Sequence, residues 1–196
     1  MPSADDTKLR GAIAAVQALI DHLGGRGVII GGVAMGLLGS GRTTEGVDAV
    51  VLWSDQEPVR LIAAAAACGL EPRVDSAAEF AATSRVLLLR HSGSGIGVDI
   101  SLGSLPFEEA MVAAATRVQA GTLTLSIPRA EDLVVMKAIA NREKDLLDIA
   151  AVLKANPNLD REAILAQVQA LAELLEAPEI VRDLQAVFRR AGGRRR

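Results

Sequence analysis

Gly31-Gly32-Val33-Ala34-Met35-Gly36-Leu37-Leu38-Gly39-Ser40-Gly41-Arg42-Thr43-Thr44-Glu45-Gly46-Val47-Asp48 is the stretch on which the reading of this chain turns. Just before it, Val28-Ile29-Ile30 is a short apolar run that predicts a buried strand. A strand that ends in Gly-Gly and enters a helix lets backbone N–H groups approach phosphate oxygens with no side chain in the way. Residues 33–38 predict a turn or two of helix, residues 40–44 a loop, and residues 47–53 a second strand. In that strand Val47, Ala49, Val51 and Trp53 share one face, while Asp48 shares the other with Val50 and Leu52.

Upstream, Ser3 is placed to cap a helix over residues 4–23, with Leu9, Ile13, Val16, Leu19, Ile20 and Leu23 at helical spacing and Gly24-Gly25 as the stop. Downstream, a helix is expected over residues 56–68, closed by Gly69. Residues 85–90 and 96–101 read as two strands of a hairpin around His91 to Gly95. Pro106 opens a short helix, and residues 122–127 alternate as a further strand. From Pro128 onward the pattern is helical over residues 130–155, 160–176 and 179–190, broken at Asn156-Pro157 and Pro178. This order predicts an α/β (α+β) fold. A small mixed-sheet core spans residues 1–128 and a C-terminal helical part spans residues 129–196, with neither a regular βαβ alternation nor an internal repeat.

Asp99, within Val98-Asp99-Ile100, is a second carboxylate inside an apolar strand, where a charge without a partner is costly. Two such carboxylates on neighbouring strands beside a phosphate-binding turn would hold Mg²⁺ carrying a nucleoside triphosphate. The order Gly31, Gly32, Ala34, Gly39, Arg42, Thr44, Asp48 and Asp99 resembles the nucleotidyltransferase superfamily, which includes DNA polymerase β and the antibiotic-modifying nucleotidyltransferases. Its local form is similar to the branch containing abortive-infection (AbiEii-like) toxins. The resemblance covers roughly residues 26–150 and departs at one place: Gly46 occupies the first aspartate of the Asp-x-Asp motif. Residues 46 and 48 point to the same strand face, so the glycine removes one oxygen donor from a two-metal site. Glu45 is adjacent but would reach that face only from a bulged strand. The sequence leaves three explanations open: a degenerate enzyme kept for binding, an active one using Glu45 or a single metal, or an introduced inactivating substitution.

On the helix after Pro128, Lys137, Asn141, Lys144, Asp145 and Asp148 form one polar stripe if the helix is continuous. Lys137, Arg142, Asp145 and Asp148 also resemble an element of the same branch. The resemblance implies that Lys137 contacts nucleotide phosphates and that a downstream aspartate, Asp148 in preference to Asp145, supports the site. On this reading Lys137→Ala weakens nucleotide binding and leaves thermal stability nearly unchanged.

Composition narrows the classes further. The chain has three Phe, one Trp and no Tyr, which disfavours an aromatic stacking platform for single-stranded nucleic acid. A net charge of −3 argues against a general nucleic-acid coat, although Arg189, Arg190 and Arg194 to Arg196 make a basic C-terminus. Cys68 stands alone, His22 and His91 have no ligand-spaced neighbours, and no apolar run spans a membrane, so a cytoplasmic protein is expected.

The resemblance implies transfer of a nucleoside monophosphate from an NTP to an acceptor hydroxyl with Mg²⁺ as cofactor. Asp48, Asp99, Lys137 and Asp148 would be catalytic, Asp48 and Asp99 would hold the metal, and Gly31, Gly32, Arg42, Thr44 and Lys137 would bind nucleotide. It also implies an RNA acceptor such as tRNA and a neutralising antitoxin partner if the protein is a toxin, with a small-molecule acceptor as the alternative. The rival functions are a non-catalytic nucleotide-binding or interaction module on the same fold, and a purely structural α/β protein.

Overall fold

The computed structural model describes residues 4–39, 44–53 and 58–192, so Ser3, Arg42 and the terminal arginines from Arg194 lie outside the described residues. The chain divides into two compact units. One comprises Met1–Ala34 with Arg42–Pro128, the other Met35–Gly41 with Arg129–Arg196.

In chain order the first unit carries α1 (Ala4–His22), β1 (Gly27–Ile30), the start of α2 (Gly31–Leu37), β2 (Val47–Leu52), α3 (Pro58–Ala67), β3 (Leu70–Pro72), α4 (Ala77–Ser84), β4 (Val86–His91), β5 (Gly97–Gly103), α5 (Pro106–Ala113), β6 (Thr116–Ala120) and β7 (Leu123–Ile127). Five strands form a mixed sheet in the order β1-β2-β5-β4-β3, in which only β2 and β5 run parallel. β6 and β7 make a separate antiparallel hairpin. The 85–101 region is the β4–β5 hairpin expected from its turn residues.

Alternation along the strands assigns the two faces of the sheet. Ile29, Ala49, Ile100 and Leu87 are register partners across four strands, and all are fully buried. This is the core face, and α1 covers it with Val16, Leu19 and Ile20. The helix comes close because glycines stand at two contact points. A Cβ on Gly27 would lie 3.2 Å from Ile20 Cγ1, and one on Gly11 would lie 3.1 Å from the His91 ring. The row one residue along, Ile30, Asp48, Asp99 and Leu88, points to the opposite face and is half-buried.

Three elements of this unit carry no clear signal in the sequence. β3 is three residues long and ends in a proline, α4 is built on small residues, and β6 is mostly exposed and polar, so neither period 2 nor period 3.6 marks them.

The second unit contains the end of α2, then α6 (Ala130–Ala140), α7 (Glu143–Ala155), α8 (Arg161–Leu174) and α9 (Glu179–Gly192). Its core is Leu133, Val134, Val135, Ile149, Val152, Ile164, Val168 and Leu184, all buried. Asp160 caps α8 by accepting a hydrogen bond from the Ala163 N–H at 2.9 Å. The stretch after α2 belongs here for a local reason. A Cβ on Gly39 would stand 2.7 Å from Ala155 Cβ, and Asn156 Nδ2 donates to the Leu38 carbonyl at 3.0 Å.

The expectation of one helix over residues 130–155 is corrected. Asn141 adopts a left-handed conformation (φ 46°) and ends α6, and α7 restarts after Arg142 in extended geometry. Asparagine is the residue after glycine best suited to that conformation, because its short polar side chain tolerates it. No proline or glycine advertises the break.

Candidate functional site

The parallel pairing of β2 with β5 makes Asp48 and Asp99 register partners, so the two carboxylates project side by side from the half-buried face of the sheet. On the other side of Asp48 stands Ile30, the last residue of β1, and the chain turns at once into Gly31. Gly31 has φ +59°, and a Cβ there would lie 2.0 Å from Asp48 Oδ2. Gly32 is equally close to the loop before β2: its Cβ would lie 2.4 Å from Thr44 Cβ. Both glycines are therefore needed to seat protein groups, the Asp48 carboxylate and the Thr44 side chain. Thr44 in turn holds the backbone of the motif glycine, its hydroxyl donating to the Gly46 carbonyl at 2.8 Å. Gly31, Gly32, Thr44, Asp48 and Asp99 are thus brought together within the first unit. Arg42 lies outside the described residues.

One row along the same face, Gly46 precedes β2 beside Gly97 of β5, and Gly97 pairs with Arg90 of β4. Two adjacent strands thus present no side chain where a further carboxylate was expected. Gly46 has no positive φ, and a Cβ there would meet only the Gly97 carbonyl oxygen, at 3.1 Å. Glu45 is exposed at the bend before β2, and the β2–β5 register begins only at Val47.

The residue that sequence reasoning missed is Arg73. It follows β3 and continues that strand's ladder, its N–H donating to the Leu88 carbonyl at 3.1 Å. From this position, two strands from β5, its side chain crosses to Asp99, where Nη2 lies 2.7 Å from Oδ1. The contact is an ion pair off the hydrogen-bonding direction, for Asp99 Oδ1 is buried and accepts no hydrogen bond. The other guanidinium nitrogen, Nη1, lies 2.9 Å from the Cβ position of Gly97. Beside it, Arg90 Nε pairs with Glu71 Oε1 at 2.9 Å. The only signal for Arg73 in the sequence was a lone basic residue after a proline, and it becomes meaningful once β3 is known to exist.

The donor set can be tested against Mg²⁺. Among the described residues no group of three or more His, Cys, Asp or Glu side chains converges as metal ligands. The face offers Asp48 and Asp99, position 46 offers nothing, and a guanidinium already stands against one Asp99 oxygen. These residues do not fit a two-metal centre.

In the second unit, Lys137 of α6 reaches across the Asn141 break to α7. Its Nζ donates to Asp145 Oδ1 at 3.1 Å and to Asp148 Oδ2 at 2.6 Å. Its side chain is 12% exposed, and those of Asp145 and Asp148 are 1% and 9% exposed. Arg142 adds a second cation on Asp145. Burial alone would raise the Asp145 carboxyl, but the hydrogen bonds and charges of Arg142 and Lys137 outweigh it and hold the group below its ordinary value.

This geometry corrects the expectation that Lys137→Ala leaves stability unchanged. Removing the ammonium would leave two buried carboxylates without their shared cation, at a cost of about 3 kcal/mol. A lowered urea midpoint is the expected result, and an unchanged one would mean that the cluster carries no stability. The pH dependence follows the same sign. A depressed carboxyl contributes stability that is present above its unfolded value, near 4, and is lost as pH falls below it. Acid titration of Lys137→Ala should show a shallower loss of stability in that range than the parent protein.

No family model matches the chain, and no curated protein sequence is significantly similar to it. Solved structures do match. An antigenic nucleotidyltransferase-like protein from Paracoccidioides brasiliensis aligns with a TM-score of 0.55 at 17% identity, over 92% of this chain and 93% of that one. JHP933 from Helicobacter pylori aligns with a TM-score of 0.53 at 12% identity, over 95% of this chain and 90% of that one. At such identities the likeness is one of fold: a mixed α/β sheet with a helical C-terminal part, as in nucleotidyltransferase-like proteins. Among the described residues no helix is long and apolar enough to cross a membrane.

Proposed function

We propose that the chain binds the phosphates of a nucleoside triphosphate on the half-buried sheet face of its first unit, without two-metal nucleotidyl transfer. The single observation behind this reading is the Asp48–Asp99 register pair standing beside a row emptied by Gly46 and Gly97. A fold shared with nucleotidyltransferase-like proteins supports placing a nucleotide here. The missing carboxylate argues against the chemistry, because losing a ligand from a two-metal centre removes several kcal/mol of transition-state stabilisation, roughly three or more orders of magnitude in rate.

The test is a thermal-shift titration with each of the four ribonucleoside triphosphates. A ligand that binds only the folded chain raises the midpoint once its concentration exceeds its dissociation constant. Stabilisation by at least one of them at millimolar concentration is expected. If none stabilises the protein, the nucleotide-binding reading falls and the structural one takes its place.

A further inference from the structure

We infer that Arg73 takes the place of the metal ion: its guanidinium receives the nucleotide phosphates on this face, and binding does not require Mg²⁺. The inference rests on the nucleotide-binding reading above.

Three observations converge on this arginine. Its side chain spans from the edge of the sheet to Asp99, one member of the acidic pair that would otherwise hold a cation, where Nη2 stands 2.7 Å from Oδ1. Its other nitrogen lies over Gly97, 2.9 Å from where a Cβ would be, so any side chain at position 97 would push the fork away. Gly46 sits against the same glycine, its own Cβ position 3.1 Å from the Gly97 carbonyl oxygen. A carboxylate at position 46 would be presented beside the guanidinium. The two glycines and the arginine thus make one arrangement, in which removal of side chains from two strands gives a third residue its place.

The chemistry suits a phosphate. A guanidinium keeps its charge at every physiological pH and offers a planar fork of donors that matches phosphate oxygens. The Arg73 side chain is 35% exposed, and its contact with Asp99 leaves the fork without hydrogen-bond geometry to that oxygen. Mg²⁺ dehydrates reluctantly and needs carboxylate oxygens at close range. At Asp99 it would have to share the carboxylate with a cation already paired to one of its oxygens.

Calorimetric titration of ATP, GTP, CTP and UTP, each with excess EDTA and again with excess Mg²⁺, tests this. The protein should bind its preferred nucleotide with the same affinity under both conditions. Arg73→Gln should weaken binding in EDTA by about ten- to a hundredfold, the loss of one charged contact to phosphate. Arg73→Lys, which keeps the charge and loses the fork, should fall between. Asp99→Asn separates the two cations: loss of a metal ligand abolishes binding, whereas release of Arg73 from its partner leaves binding intact or tighter. Binding that appears only with Mg²⁺, an unchanged affinity in Arg73→Gln, or loss of binding in Asp99→Asn would each overturn the role of Arg73 and leave the nucleotide site standing. No binding to the parent protein under either condition removes the site itself, and the inference with it.

Discussion

Gly31→Ala is expected to lower the stability of the first unit by about 2–5 kcal/mol, two separate costs falling on one methyl group. A residue with a Cβ at φ +59° costs about 1–2 kcal/mol against glycine. The methyl would also stand 2.0 Å from Asp48 Oδ2 and 2.9 Å from Asp48 Cβ, so the carboxylate and its strand must shift, an overpacking cost of about 1–3 kcal/mol. Gly24→Ala isolates the first cost, because Gly24 has φ +71° with nothing within 4 Å of its Cβ position. Urea denaturation of the two variants should show the larger loss at position 31. Asp48→Gly in the Gly31→Ala background should recover part of it, since the opposing side chain is gone. Equal losses at positions 24 and 31 would mean that Asp48 does not rest on Gly31, and the account of the Gly-Gly turn would have to be abandoned.

Gly46→Asp is the second large effect, and its outcome depends on Arg73. The backbone accepts an aspartate, for Gly46 lies outside the left-handed region and the Gly97 carbonyl oxygen need yield only a few tenths of an ångström. In the parent background the new carboxylate meets the guanidinium beside Gly97, forming a part-exposed ion pair of under about 1 kcal/mol. Stability should change little, nucleotide affinity in EDTA should fall, and metal should still not bind. In the double variant Gly46→Asp/Arg73→Gln the guanidinium is gone, and positions 46, 48 and 99 carry three carboxylates on one face. Nucleotide binding should then depend on Mg²⁺ or Mn²⁺. Transfer of labelled nucleotide to an RNA acceptor such as tRNA, or to a small-molecule acceptor, should rise by roughly three or more orders of magnitude. Glu45→Ala in the parent and in the double variant serves as control, and no change is expected from it, since Glu45 is exposed at the bend before β2. A double variant that folds and binds metal-nucleotide yet transfers nothing to any acceptor would make this fold a binding module outright.

Several features of the fold and the candidate site were legible from local pattern. Alternation in residues 47–53 assigns Asp48 to the face opposite Val47, Ala49 and Val51, and the structure keeps that assignment, with those three buried and Asp48 half-buried. The β4–β5 hairpin follows from glycine and serine between two apolar runs, and α1 from helical spacing closed by Gly24, in left-handed geometry. The absence of a carboxylate at position 46 is likewise a fact of sequence alone. What replaces it is not. Arg73 reaches Asp99 only because β3 pairs with β4 at the far edge of the β4–β5 hairpin, across the intervening α4, and β3 is too short to leave a periodic trace. The parallel β2–β5 pairing that sets Asp48 beside Asp99 is non-local. In the second unit, the helical pattern of residues 130–155 runs straight through Asn141, and a single backbone angle there decides whether Lys137 lies on an open stripe or between two buried aspartates. Periodicity reports which face a side chain takes. It does not report which strand lies next to it or where one residue turns left-handed, because those depend on the energy of contacts made only after the chain has closed on itself.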